Sequence, residues 1–291
     1  MEIKSVNIIN QNAPFLNVEA YASICKYVLN DISGKLEFVI NPLGKENCVC
    51  IKIDCVTWAN YLTPILDKFN LKNVTLFVCN GDLPFCSRQI EFLNDSRIDR
   101  CFAQNADLIH QKLIPVPIGI AHHLYNNAHG NIQNFNKVQA ENNTKDNLIY
   151  ANFSVNTNAK ERSDCLLHTK MKLVDQECNG WHEKSDVLQW YQPKSHESYL
   201  RDLSKSYYCL SPRGNGIDCH RTWESLYMRC IPIVTRNLVT ESHSYLPIII
   251  LDSWEDFKIE DYTTDKYHEM IKNFEVSDLY TEKYFFDRGI V

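Results

Sequence analysis

The chain has 291 residues, 30 Lys+Arg against 36 Asp+Glu, and a formal net charge of −6. Its length suits two domains or one large one, and 44% hydrophobic with 23% charged residues excludes a disordered or low-complexity chain. The acidic balance argues against a non-specific nucleic-acid binder, and no run reaches the ~18 apolar residues of a membrane span.

The first fifteen residues, MEIKSVNIINQNAPF, lack the basic start and apolar stretch of a signal peptide, so the expectation is a protein made and kept in the cytoplasm. Short β-branched runs then alternate with helical stretches, the pattern of an α/β protein with mostly parallel sheets. Strands are expected at Val6–Ile9, Leu36–Ile40, Val49–Ile53, Val74–Cys79, Arg100–Gln104 and Ile114–Ile118. Val18–Val28 and Val56–Phe69 carry apolar residues at helical spacing, with Pro64 expected to bend the second.

The 12 cysteines are scattered from Cys25 to Cys230, most within apolar stretches. The closest pair is Cys48-x-Cys50 and no C-x-x-C occurs, so they read as reduced core thiols rather than a disulfide set or a zinc site. In a reducing compartment the N-x-S/T sequons at Asn73, Asn94, Asn142 and Asn152 carry no glycan.

From Asn126 to Asn147 the chain is rich in Asn and poor in large aliphatics, which reads as a loop or linker. A second α/β unit follows. Strand Leu148–Phe153 leads to a helix through Arg162, then helix Ser195–Lys205 and strand Tyr207–Leu210. Segment Ser211–Asp218, helix Asp218–Arg229, strands Ile231–Val234 and Ile248–Leu251, and helices around Ser253–Phe257 and Thr264–Phe274 complete the chain. The organisation expected is a Rossmann-like domain over 1–145, a second over 146–265, and terminal helices over 266–291 packing back across the junction.

Two of only nine glycines sit in Ser211-Pro212-Arg213-Gly214-Asn215-Gly216-Ile217-Asp218, between a strand end and a helix start. Such a loop offers backbone N–H groups and the positive end of a helix dipole to an anion, at the strand ends where open α/β sheets bind ligands. Cys219, Trp223, Leu226 and Cys230 share the face expected to pack on the sheet, while Arg221 and Glu224 share another. Arg213 and Arg221 are placed to reach a diphosphate, and Glu224 to accept hydrogen bonds from ribose hydroxyls. A solvated Arg–Glu pair and a plain glycine turn would give the same spacing. The segment is neither G-K-[ST] nor G-x-G-x-x-G, so motif grammar leaves the ligand open.

The stretch YYCLSPRGNGIDCHRTWESLYMRCIPIV resembles the core motif of exostosin-like glycosyltransferases, in particular the short cytosolic members of large DNA viruses and algae. Arg100–Asn105, Lys112–Ile120 and Leu148–Arg162 resemble the same family. The resemblance implies a GT-B architecture, two Rossmann-like domains facing a cleft, with a UDP-sugar as donor substrate and no cofactor or metal. It implies inversion at the anomeric carbon, an oligosaccharide or glycoprotein glycan as acceptor, and xylose as one candidate sugar. By the same resemblance Arg213 and Arg221 hold the donor diphosphate, Arg162 faces it across the cleft, Ser211 and the backbone of Gly214, Asn215 and Gly216 line it, and Glu224 holds the ribose. His220 contacts phosphate or sugar, or makes a local hydrogen bond; Asp218 caps the helix or touches the donor sugar.

An inverting transfer needs a general base for the acceptor hydroxyl, expected from a strand end of the N-terminal half. Asp82, after Val74–Cys79, is the first candidate and His122 the alternative; Asp54 and His123 are also positioned for it. Two other functions fit the same residues: a GDP-fucose-type GT-B fucosyltransferase, and a non-catalytic nucleotide-sugar or glycan-binding module. A Rossmann-type methyltransferase is disfavoured by the lack of a glycine-rich loop after the first strand.

Overall fold

A computed structural model describes residues 3–31, 36–52, 58–121, 131–174 and 193–290. The first half builds β1 (Ile3–Ser5), α1 (Val18–Ser23), β2 (Cys25–Asp31), β3 (Leu36–Ile40), β4 (Lys45–Lys52), α2 (Trp58–Lys68), β5 (Val74–Cys79), α3 (Ile90–Asn94), β6 (Ile98–Ala103) and β7 (Leu113–Pro115). These strands form one seven-stranded sheet in the order β1-β3-β2-β4-β5-β6-β7, parallel throughout except for the β2–β3 pair.

The second half adds α4 (Ile132–Ala140), β8 (Asn147–Tyr150), α5 (Ala159–Val174), α6 (His196–Ser204), β9 (Ser206–Leu210), α7 (His220–Tyr227), β10 (Ile231–Thr235), α8 (Leu238–Ser242), β11 (Ile249–Leu251), α9 (Thr264–Ile271) and α10 (Thr281–Asp287). Its four strands make an all-parallel sheet in the order β11-β10-β9-β8. The molecule is therefore mixed α/β with two mostly parallel sheets.

Each central strand of the first sheet is apolar on both faces, because helices and loops cover both sides. Tyr27 and Leu29 of β2, Val49 and Ile51 of β4, and Leu76 and Val78 of β5 enter one core cluster. The alternate residues Val28, Cys48, Cys50, Phe77, Cys79 and Phe102 enter another. The ten described cysteines are all free, and eight are buried. Those of β4 and β5 pack as small hydrophobes against the stacked Phe77 and Phe102 rings, whose centroids are 4.9 Å apart.

This two-sided burial explains one difference from the sequence expectation. The helix expected over Val18–Val28 stops at Ser23, and the chain continues as β2. Asn17 caps its start by accepting a hydrogen bond from the Ala20 amide at 2.9 Å. A continuous apolar run such as Tyr27-Val28-Leu29 suits a doubly covered strand as well as a helix, and a slot between β3 and β4 decides it. The strand expected at Val6–Ile9 is instead Ile3–Ser5, and Val6 and Ile9 stay exposed at 47% and 65%.

The stretch 126–147 is not all linker. Asn131 caps α4, whose Phe135 and Val138 are fully buried against Phe15 and Tyr227. Two apolar residues three apart are enough for one buried stripe, although the surrounding Asn and Gln dilute the composition. The helix expected at Ser253–Phe257 is a single 3₁₀ turn, Trp254–Asp256.

At the end of the chain, Tyr284, Phe285 and Ile290 pack into the core beneath the first sheet, with the Phe285 ring 5.6 Å from that of Tyr21. Thr281 N–H donates to the Pro14 carbonyl and Arg100 Nη1 to the Gly289 carbonyl, both at 2.8 Å. Among the described residues no helix is long and apolar enough to cross a membrane.

Candidate functional site

The carboxyl ends of both sheets face one cleft of about 830 Å³. The loops after β5, β6 and β7 supply one wall, with Asn80, Asp82, Gln104 and Ile118. The other comes from the second half, with Asn152, Arg162, Tyr199, His220, Arg221 and Glu224. Ligands of parallel sheets occupy this position because strand ends, loops and helix N-termini converge there.

The segment from β9 to α7 is anchored across the cleft. Asp218 is 5% exposed and accepts three hydrogen bonds: from Ile118 N–H at 2.7 Å, from the Trp223 indole at 2.8 Å and from Cys219 N–H at 2.7 Å. Asn105, held at a positive φ of 50° after β6, accepts from Asp218 N–H at 2.9 Å and donates to the Gly81 carbonyl at 2.8 Å. Gly216 fits because of this bracket: a Cβ there would lie 2.8 Å from Asn105 Oδ1. At Gly214 a Cβ would sit 3.2 Å from Arg162 Nη2. The two glycines thus serve close approach, not a turn with positive φ. Asp218 is not the helix cap, since Cys219 occupies that position without a side-chain cap bond.

Two guanidiniums flank the Phe153 ring, that of Arg162 5.9 Å and that of Arg221 5.7 Å from its centroid. Arg162, 6% exposed, spends its donors on the loops: Nε on the Arg213 carbonyl at 3.1 Å and Nη1 on the Ser154 carbonyl at 2.6 Å. Arg221 gives Nη2 to the Asn152 carbonyl at 3.0 Å, while its Nε and Nη1 are buried without a partner. Neither arginine forms an ion pair with a carboxylate among the described residues. Two like charges so placed repel each other, and buried unpaired donors cost free energy. An anion with several oxygens would answer both.

Glu224, one turn along α7, accepts from the Tyr199 hydroxyl at 2.8 Å. Burial pushes its carboxyl up to about 7, against the opposing Tyr199 hydrogen bond and the Arg221 charge. Burial likewise lifts Asp218 to about 6, against its three hydrogen bonds. A carboxyl that binds its proton more tightly when folded contributes stability that is full below its ordinary value and lost as pH rises through the folded one. For Glu224 that window runs from 4.5 to about 7. Calorimetry from pH 4 to 8 should therefore show wild type losing more melting temperature than Glu224→Gln, whose amide oxygen still accepts from Tyr199.

The residues singled out from sequence sort as follows. Arg162, Gly214, Asn215, Gly216, Asp218, His220, Arg221 and Glu224 line the cleft, and so does Asp82. Asp82 is exposed and accepts from Asn215 Nδ2 at 3.2 Å across the mouth. Ser211 does not reach the cleft; it is 2% exposed and its hydroxyl shares a 3.0 Å hydrogen bond with Thr222. Arg213 is half-buried and absent from the lining, and it meets the site through its carbonyl. Cys219, expected on the sheet-packing face with Trp223, Leu226 and Cys230, turns into the cleft, while the other three join the core. His122, His123 and Asp54 lie outside the described residues. Tyr199, Asn152 and the Asn105 bracket were not singled out, because each acts through a contact with a residue far away in sequence. Among the described residues no group of three or more His, Cys, Asp or Glu could hold a metal ion. Compared with known proteins, the chain matches no family model, and a search of curated proteins finds no match.

Proposed function

We propose that this chain is an inverting glycosyltransferase of GT-B arrangement that moves a sugar from a UDP-sugar to a hydroxyl of a glycan acceptor, without a metal ion. The observation that carries the reading is the pair of guanidiniums, Arg162 and Arg221, facing one cleft with no carboxylate partner, and with two of Arg221's donors unused, among the described residues. A diphosphate supplies several acceptor oxygens and the negative charge that two cations lining one cleft call for. Arg221 and the N-terminus of α7 then stabilise the charge that develops on the leaving diphosphate, a task a metal ion would otherwise perform. Glu224, oriented by Tyr199, stands one helical turn away as acceptor for the ribose hydroxyls. The loop of Gly214–Gly216 lets backbone approach the donor. The resemblance of this same segment to exostosin-like enzymes supports the sugar-nucleotide assignment and a cytoplasmic glycan-building role.

Thermal melting with UDP, GDP and a panel of nucleotide sugars including UDP-xylose, with and without Mn²⁺, tests the reading. A ligand at 100 times its Kd adds about 2.7 kcal/mol, several degrees at this size. The expected result is stabilisation by UDP and by one UDP-sugar, equal with and without metal. A shift with GDP alone moves the assignment to a guanosine donor, and no shift with any nucleotide overturns it.

A further inference from the structure

We propose that a second cavity, behind α7, binds a neutral saccharide unit. Its volume is about 740 Å³, within the roughly 300–1,000 Å³ of small-molecule sites, and among the described residues it shares no lining residue with the cleft. The loop between α8 and β11 forms one side, and the segment from the end of α9 through α10 forms the other. The floor is preformed. Leu246, Phe274 and Tyr284 are buried there, and the Tyr284 hydroxyl lies 2.9 Å from His243 Nε2. The His243 ring, 6.0 Å from that of Tyr284 and 5.2 Å from that of Trp223, ties this floor to the inner face of α7.

The walls match the two kinds of surface a sugar ring presents. Tyr245 is 62% exposed, so an aromatic side chain is offered at the rim, and the Arg288 guanidinium braces it 4.9 Å from the ring centroid. Arg288 is itself held, with Nη2 donating to the Ser242 carbonyl at 3.0 Å and the guanidinium 5.6 Å from the centroid of the Tyr284 ring. A braced tyrosine is a platform for the apolar C–H face of a pyranose, at low cost in side-chain entropy. The hydroxyls of the sugar both donate and accept. Donors on Arg288 and Lys283 stand with acceptors on Asp278 and Asp287, and the Asn273 amide does both. Lys283 is shared between Asp287 at 3.2 Å and Asp278 at 3.6 Å. The two cations and two carboxylates of the lining sum to zero. A phosphate or uronate would meet the carboxylates, and a cation the basic groups, so the balance favours a neutral ring. The binding stands apart from the cleft. Its role rests on the glycosyltransferase reading: the cavity holds a unit of the glycan other than the one being extended.

Saturation-transfer NMR and isothermal titration test the site, with trisaccharides of glucose, galactose, mannose and xylose as probes and a glucuronic-acid oligosaccharide as the acidic control. Wild type is expected to bind at least one neutral probe in preference to the acidic one, with the same affinity in excess UDP. Tyr245→Ala removes an exposed ring and should weaken that binding about tenfold or more, while the melting temperature of the empty protein and its shift with UDP stay unchanged. Arg221→Ala, in the cleft, should leave saccharide binding as it is. The proposal is overturned if no neutral probe binds, if the acidic oligosaccharide binds as well, if UDP or Arg221→Ala abolishes the binding, or if Tyr245→Ala binds like wild type. Saccharide binding by a protein that no nucleotide stabilises upholds the site and brings down the transfer reading; a nucleotide shift without saccharide binding does the reverse.

Discussion

Arg221→Ala is expected to abolish the donor-induced melting shift and to weaken donor binding by about 30-fold to several-thousand-fold, the range for truncating one partner of a buried charge-assisted contact, 2–5 kcal/mol. Isothermal titration with UDP gives the number. The ligand-free protein should behave differently. Arg221 keeps two buried donors without partners and shares the Phe153 ring with a second cation, so its removal relieves a cost while losing one hydrogen bond to Asn152. The variant should melt close to wild type when empty and show its defect only with ligand present. Arg221→Lys should not rescue, because an ammonium lacks the planar set of donors that spans a diphosphate. A variant that binds UDP normally would remove the chief physical support for an anion site at α7.

How much of this was legible beforehand depended on whether a residue acts locally. The scarcity of glycine made Gly214 and Gly216 conspicuous, and a strand, a glycine loop and an amphipathic helix are read from spacing within about twenty residues. Helical periodicity put Arg221 and Glu224 on one face of α7, while a solvated pair would show the same spacing and their roles came from the resemblance. Where partners come from far away, spacing is silent. Nothing around Tyr199 marks it as the donor to Glu224, 25 residues on, and nothing in Arg100–Asn105 shows that Asn105 grips Asp218 across 113 residues. Ser211 and Arg213 were assigned through the resemblance of the motif, whereas the structure buries the first and leaves the second out of the cleft lining. At β2 and α4 the local signal was ambiguous, and tertiary burial decided between helix, strand and loop.

Asp218 carries the largest expected effect on stability, and for the reason that adjacency misled. It reads as a helix cap, yet it joins the two halves. One oxygen receives Ile118 N–H, from the loop after β7, together with the Trp223 indole of α7, and the other receives Cys219 N–H. Asp218→Ala leaves these three donors without acceptors, the Trp223 indole buried and the two amides partly so, each costing up to about 1–3 kcal/mol. We expect a loss of about 3–5 kcal/mol, or roughly 5–8 °C in melting temperature for a chain of this length. Asp218→Asn should cost about half as much, since one oxygen still accepts while the amide N–H groups face a donor. Because Ile118 belongs to one half and Trp223 to the other, calorimetry of Asp218→Ala should also show a broadened or split transition as the halves uncouple. A loss below about 1 kcal/mol with a single sharp transition would mean that the apolar packing of Phe15, Phe135 and Tyr227 joins the halves without this carboxylate. The pairing of results is diagnostic: Arg221→Ala should spare the fold and lose the ligand, whereas Asp218→Ala should lose both, because the carboxylate holds in place the loop from which α7 reaches the cleft.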